Sequence, residues 1–429
     1  MYKFNKLLAT TFFCIVVFLV LLNILTPLRL NTDGIRYLNI LEYLKGNLDK
    51  NSVAAHDFLP RGYPVFLFVF DKIHLLSPAL ITLINILSIL TSSYILAKLL
   101  KIENRLIYFS LIMISFINIK QFTLPVSDQL FTLLFIWSIY LWAIFFRGRL
   151  YFIAPALIIT VISIFVRTAG VAVIIGVILY IIYINKKLIL QKKILSGLIA
   201  LLFILLTVVF VHNLSFFETK IDYIRQLEME GMVRNPFSII KRLLIHFQEL
   251  GEVVINMPYS KLSSIIHFKV FDISLYILIV AGILSLYIIC KSIIYLKLYN
   301  SFVFWAFFSY LMMVFLWPFY DTRFLIPVIP LFIYLLAYYM SNLFRVHYIK
   351  IFPAALYVSL GLLSLFYSDA LSLNKSFFLT HYGFDPALTE SYRIHFKNEH
   401  LEITQKPVYD INKDNTLYLL EKCDTPLIY

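Results

Sequence analysis

Apolar runs of bilayer-crossing length recur along almost the whole chain, and they constrain the fold more than any other feature. A crossing α-helix needs about 20 apolar residues. On that rule the sequence predicts spans near 7–26, 79–100, 104–121, 126–146, 150–166, 169–185, 194–213, 273–296, 301–318, 324–343 and 349–367. The chain is 61% hydrophobic and 14% charged, against roughly 45–50% and 25% in soluble domains. Its mean hydropathy is +0.85. A water-soluble globule of 429 residues has too little interior to hide that much apolar surface. The expected fold class is therefore an all-α integral membrane protein of about 11 transmembrane helices. A soluble enzyme, a disordered chain and a secreted disulfide scaffold are excluded. Cys14, Cys290 and Cys423 lie far apart, with no metal-type spacing. The first two fall in or beside apolar runs and read as packing residues.

The net charge of +13 would raise nucleic-acid binding in a soluble protein. Here the basic residues sit in short connections between apolar runs, which makes them an orientation signal, and no nucleic acid is expected. With the N-terminus cytoplasmic, each inner connection holds at least two positives, for example Lys3 and Lys6, Arg147 and Arg149, or Arg345 and Lys350. The short outer loops hold one each: Lys120, Arg167 and Arg323. This positive-inside pattern survives eleven crossings. It places the chain in the cytoplasmic membrane with its C-terminus outside. The first run ends in Asn-Ile-Leu-Thr-Pro without a small-residue cleavage site, so it reads as a retained span.

The sequence divides into a multi-spanning domain, 1–367, and an extracytoplasmic tail, 368–429. Two long outer loops, 27–78 and 214–272, belong to the first. The segment 62–75 is apolar but short, and reads as a half-buried surface helix or part of a further span. In the second loop Asn235-Pro236 has N-cap and first-turn character. Ile240, Leu243, Leu244 and Phe247 follow on one helical face. That helix lies either on the outer membrane surface or against its own membrane domain. The tail, with nine acids and six bases, reads as a small ordered cap.

The isolated charges fall on one side. Asp33, Arg61, Asp128, Arg167, Asp321 and Arg323 all flank spans at their outer ends. A charge at a membrane mouth costs free energy unless it finds water or a partner, so both signs on one face point to a polar cavity there. Arginines hold phosphates through bidentate contacts, and a carboxylate can take a proton from an attacking hydroxyl. Plainer uses stand beside these. Asp33 and Asp128 also suit helix caps, Arg167 and Arg323 suit headgroup anchors, and Asp321 and Arg323 suit a mutual pair closing a turn. His56 and Asp57 lack a third ligand at metal spacing, so no metal site is expected there.

Four pieces together resemble the multi-spanning glycosyltransferases of fold type C, in particular the branch of protein O-mannosyltransferases and lipid A aminoarabinose transferases. They are Asn31-Thr-Asp33-Gly34-Ile-Arg-Tyr37, Phe58-Leu-Pro60-Arg61-Gly62-Tyr63-Pro64, Leu124-Pro-Val-Ser127-Asp128 and Asp321-Thr-Arg323-Phe-Leu-Ile-Pro327-Val-Ile-Pro330. The resemblance covers roughly 1–345. Gly34 stands where many members have a second acid, and Arg61 where proline is common.

The resemblance implies transfer of a sugar from a polyprenyl-phosphate donor to a hydroxyl of an envelope acceptor at the outer leaflet, with inversion. Asp33 would be the general base and Asp128 the second acid. Arg323, with Arg61 or Arg167, would hold the donor phosphate. Tyr37, Tyr63, His56, Asp57 and Asp321 would support them. No cofactor is expected, a divalent-metal requirement stays open, and no nucleotide-binding glycine pattern is present. Two other readings are a polysaccharide polymerase or ligase, and a lipid-oligosaccharide flippase. The first predicts its charged clusters in the large middle loop, and the second predicts ionisable residues at the bilayer midplane.

Overall fold

In the computed structural model the long apolar runs are helices. It describes residues 6–184, 237–266, 272–317, 319–343, 347–382, 386–397 and 413–423. Among them there is no strand. The N-terminal half comprises α1 (Lys6–Leu22), α2 (Thr32–Leu44), α3 (Gly62–Lys72), α4 (Pro78–Leu99), α5 (Arg105–Met113), α6 (Phe116–Phe122), α7 (Asp128–Phe146), α8 (Ile153–Val166) and α9 (Val171–Ile184). The C-terminal half comprises α10 (Phe237–Ile255), α11 (Tyr259–Ile265), α12 (Ile273–Tyr295), α13 (Phe302–Leu316), α14 (Ile329–Tyr338), α15 (His347–Leu373), α16 (Lys375–His381), α17 (Pro386–Lys397) and α18 (Lys413–Cys423).

Among the described residues, six helical stretches are long and apolar enough to cross a membrane: Lys6–Leu25, Pro78–Leu99, Asp128–Phe146, Ile273–Tyr295, Thr322–Asn342 and Phe352–Leu373. Three shorter apolar stretches, Leu150–Val166, Thr168–Ile184 and Phe302–Leu316, match expected spans in position. The run expected at 104–121 is not one straight helix, because α5 and α6 meet at a 66° bend. Asn256 holds that break open by accepting from the Phe116 amide at 2.7 Å and donating to the Ile114 carbonyl at 3.0 Å. The span expected at 194–213 and the Asn235-Pro236 cap lie outside the described residues. The short apolar segment 62–75 forms α3, eleven residues long and half-buried through Tyr63, Pro64 and Leu67.

The helices are packed inside out relative to a soluble bundle. On α12 the buried positions include Ser274, Gly282, Ser285 and Ser292. Tyr276, Val280, Leu284, Tyr287 and Ile294 are exposed. Small residues let helix backbones approach when the surroundings are as apolar as a leucine side chain. Cys14 and Cys290 lie on such exposed faces rather than in the packing.

The same inversion decides between the two readings of α10. Most of its predicted apolar face does not pack inward: Ile240, Leu243 and Leu244 are exposed, and only Phe247 is partly buried against the core. Its polar face, carrying Arg242, His246, Glu249 and Glu252, is buried against the protein. The helix packs along α12, where a Cβ on Gly282 would lie 1.8 Å from the Phe247 carbonyl oxygen. It is a helix packed against the rest of the bundle, not one lying free of it.

Candidate functional site

The site grows from the turn that follows the first span. Asn31 is the N-cap of α2, its side chain accepting from the Gly34 amide at 2.7 Å. Asp33 is therefore not the cap. It sits in the first helical turn, where the helix dipole favours a carboxylate. Gly34 lets this turn press against the loop before α7, since a Cβ there would lie 3.0 Å from Pro125. Gly62 does the same for α3, where a Cβ would lie 2.4 Å from the Phe165 carbonyl oxygen, close in sequence to Arg167. Two missing side chains thus bring the first outer segment onto the mouth of α7 and α8.

Asp33 stands at the centre of a row of alternating charges. Arg323 reaches it at 2.6 Å and also lies 2.5 Å from Asp321. Arg36 lies 3.5 Å from Asp33 on its other side and is held by Asp57 through two bonds of 2.8 and 2.6 Å. Burial pushes the Asp33 carboxyl up, but Arg323 and Arg36 outweigh it and leave the group below the ordinary carboxylate range. It is ionised at neutral pH. Asp321 does close the turn expected of it, accepting from the Arg323 amide at 3.1 Å. The Arg323 guanidinium nonetheless extends past that turn to Asp33.

A second cluster adjoins the first. Arg167 is ion-paired with Asp128 and lies 5.0 Å over the Phe324 ring. The Tyr37 hydroxyl is 3.0 Å from Ser127, and its ring meets Tyr63 edge-on at 5.2 Å. Burial raises the Tyr37 hydroxyl to about 12, so it stays protonated and serves as a hydrogen-bonding group. Arg61 turns elsewhere, donating to the Ala55 carbonyl at 2.8 Å beneath the Tyr43 ring. His56 is exposed on a 3₁₀ turn. Among the described residues no three His, Cys, Asp or Glu side chains gather as metal ligands.

Beside the charge row opens a cavity of about 900 Å³. Asp33, Asp321 and Arg323 line it, whereas Asp128, Arg167 and Arg61 do not. Asp128 is 2% exposed and is engaged by Arg167 rather than facing the cavity.

Sequence reasoning missed three parts of this wall. Arg36 belongs to the same helical face as Asp33, and its i+3 spacing was the available signal. Lys120, on α6, and Lys261, on α11, line the cavity from elements without a motif. The tail contributes Tyr382 and His381, and it clasps the segment leading to Asp33. Tyr392 donates to the Leu28 carbonyl at 2.5 Å and accepts from the Leu30 amide at 3.0 Å. Tyr382 donates to the Leu30 carbonyl at 2.7 Å. Arg29, between those contacts, donates to the Ser368 carbonyl at 2.9 Å and to the Ser372 hydroxyl at 2.7 Å. Nothing in sequence marks contacts that join residues 28–30 to the far end of the chain.

No protein-family model, curated protein or solved structure matches the chain.

Proposed function

We propose that the chain is a membrane glycosyltransferase of fold type C, moving a sugar from a polyprenyl-phosphate donor to a hydroxyl acceptor at the outer face of the cytoplasmic membrane. The observation that carries the reading is the Asp33–Arg323 pair lining one cavity, formed from segments at opposite ends of the membrane domain. Tyr37 and Arg167 act electrostatically on the pair, and Asp128 holds Arg167. In this reading eleven spans cross the membrane, the N-terminus is cytoplasmic and the tail is outside. The contact of the tail with residues 28–30 accords with both lying on one side.

The chemistry follows from the pairs. The acceptor oxygen attacks the anomeric carbon and forms the new glycosidic bond. The bond from that carbon to the phosphate oxygen breaks, with inversion, and its electron pair leaves on the phosphate. The hydroxyl proton passes to Asp33. In the unliganded site Arg323 and Arg36 make Asp33 a weak base. A donor phosphate competes for Arg323, and as that guanidinium turns to the phosphate the Asp33 carboxylate regains basicity. Donor binding and base activation are in this way one event. Asp128 acts by fixing Arg167 at the α7 mouth.

Deletion of the gene in its host, followed by mass spectrometry of envelope lipids and surface polymers, tests this directly. The expected result is loss of one sugar decoration, restored by the wild-type chain and not by Asp33→Asn. An unchanged envelope, or full restoration by Asp33→Asn, contradicts it.

A further inference from the structure

The polar face of α10 holds buried ionisable side chains that the charge row does not use. Arg242, His246, Glu249 and Glu252 recur on it at helical spacing, and all four meet the segment that leads from α13 to Arg323. Arg242 donates to the Leu316 carbonyl at 3.0 Å. His246 Nε2 lies 2.9 Å from the Trp317 carbonyl. Glu249 Oε1 accepts from the Asp321 amide at 2.5 Å, and Glu252 accepts from the Tyr320 hydroxyl.

Two of these groups also meet each other. His246 Nδ1 lies 2.7 Å from Glu249 Oε2, and the two side chains are 1% and 0% exposed. The Phe315 ring stacks on the imidazole. The partners fix how many protons this pair holds. The Trp317 carbonyl only accepts, so Nε2 carries a hydrogen. One further hydrogen then lies between Nδ1 and Oε2. It belongs either to an imidazolium beside a carboxylate or to a carboxylic acid beside a neutral ring, and in both forms the pair is neutral overall. Without that hydrogen a bare Nδ1 faces a carboxylate oxygen, or, with the ring hydrogen moved to Nδ1, a bare Nε2 faces the carbonyl. Each arrangement forfeits a hydrogen bond and leaves an uncompensated charge in the interior. The groups around the pair are Arg242 and Glu252 on α10 and Tyr320 and Asp321 on the facing segment.

We propose that His246 and Glu249 are positioning residues that share one proton, and that this proton latches the turn bearing Asp321 and Arg323 onto α10. Its loss lets the turn part from the helix and draws Arg323 away from Asp33. The latch is closed at low pH and opens as pH rises. That sense is opposite to Asp33, whose ionised form is lost as pH falls. The site is thereby confined to a pH window with a different group at each edge. The latch does not depend on the reaction, whereas its effect on sugar transfer rests on the reading above.

Hydrogen exchange of the full chain in detergent, read by mass spectrometry on peptides covering 319–324, follows the latch with no substrate present. Labelling times are scaled to the intrinsic exchange rate at each pH. Between about pH 6 and about pH 10, wild-type protection should fall by about tenfold or more. Glu249→Gln supplies the same bonding pattern without a titrating proton. Its amide oxygen accepts from the Asp321 amide, and its NH2 donates to Nδ1 of a neutral His246. That variant should keep its protection at both ends of the range, and Glu252→Gln should keep the wild-type fall. Wild-type protection that does not change with pH overturns the proposal. So does an equal fall in Glu249→Gln, loss of its protection at the lower pH, or a flat profile in Glu252→Gln. With a labelled donor, Glu249→Gln should go on transferring sugar at a pH where the wild-type rate has dropped. The expected exchange results without transfer by either protein leave the latch standing and remove glycosyl transfer.

Discussion

Asp33 shows how a single residue acquires a role that its neighbours in sequence do not reveal. Thr32-Asp33-Gly34 has the composition of a helix cap, yet Asn31 takes the cap and leaves the carboxylate for Arg323. Two guanidiniums offset the cost of burying it, and this has a consequence in pH. The folded-state value is depressed, so the stability from these pairs is complete above the unfolded value of about 3.9. It is lost as pH falls through the lower folded value. Thermal unfolding in detergent should therefore show no Asp33-linked loss until pH falls below the ordinary aspartate range. Arg36→Ala should shift that loss to higher pH, as one of the two opposing cations is removed. An unshifted profile in Arg36→Ala would show that this arginine does not act on Asp33. Of the residues in this row, Asp33, Asp321 and Arg323 were legible in sequence because each breaks an apolar context. Arg36 and Asp57 were less so, since charge in an outer loop is ordinary. The lysines were not legible at all, because a lone lysine at a membrane edge reads as an anchor.

Among the elements, α10 carries the sharpest lesson. The i, i+3, i+4, i+7 apolar pattern located a helix, but periodicity alone does not say which face is buried. In lipid the polar face turns inward. Here it meets the loop that bears the site: His246 contacts the Trp317 carbonyl at 2.9 Å, and Glu249 accepts from the Asp321 amide at 2.5 Å. The helix thus holds the turn from which Arg323 projects. It sits close against α12 through two glycines, Gly251 and Gly282, where added Cβ atoms would lie 2.0 Å from the Leu278 carbonyl oxygen and 1.8 Å from that of Phe247. Those neighbours are backbone and cannot swing away. Gly251→Ala and Gly282→Ala should each destabilise the chain by at least about 1–3 kcal/mol. Val280→Ala, on the exposed side of α12, should change little. Differential scanning fluorimetry of the three variants checks this, and equal midpoints would contradict the close packing. The α5–α6 bend was hidden for a related reason: the run 104–121 is mostly apolar, and the residue that breaks it, Asn256, is 140 positions from Phe116.

At the scale of the molecule, hydropathy and apolar run length were enough to read an all-helical chain with several helices able to cross a membrane, because both report on a chain's response to lipid rather than on particular contacts. They said little about the cavity, which is closed by pieces drawn from α2, α6, α11, α15 and the tail. The tail is the clearest case. Composition made it a small ordered cap, but its three tyrosine hydrogen bonds to residues 28–30 make it part of the wall that carries Asp33. Glu42, at the far end of α2, is likewise tied to the tail by Lys422 at 3.0 Å. The helix bearing the proposed base is gripped at both ends by segments from the other end of the chain.

The central claim is that this gripped carboxylate takes a proton as a lipid-linked sugar is transferred. Purified chain in proteoliposomes, supplied with a labelled polyprenyl-phosphate sugar and an envelope extract, measures that claim without intermediaries. Wild type should move label from the prenyl lipid to the acceptor fraction, and a correctly folded Asp33→Asn should do so slower by about 10²-fold or more. Equal rates in the two proteins would remove Asp33 as the base and, with it, the coupling of donor binding to proton transfer through Arg323.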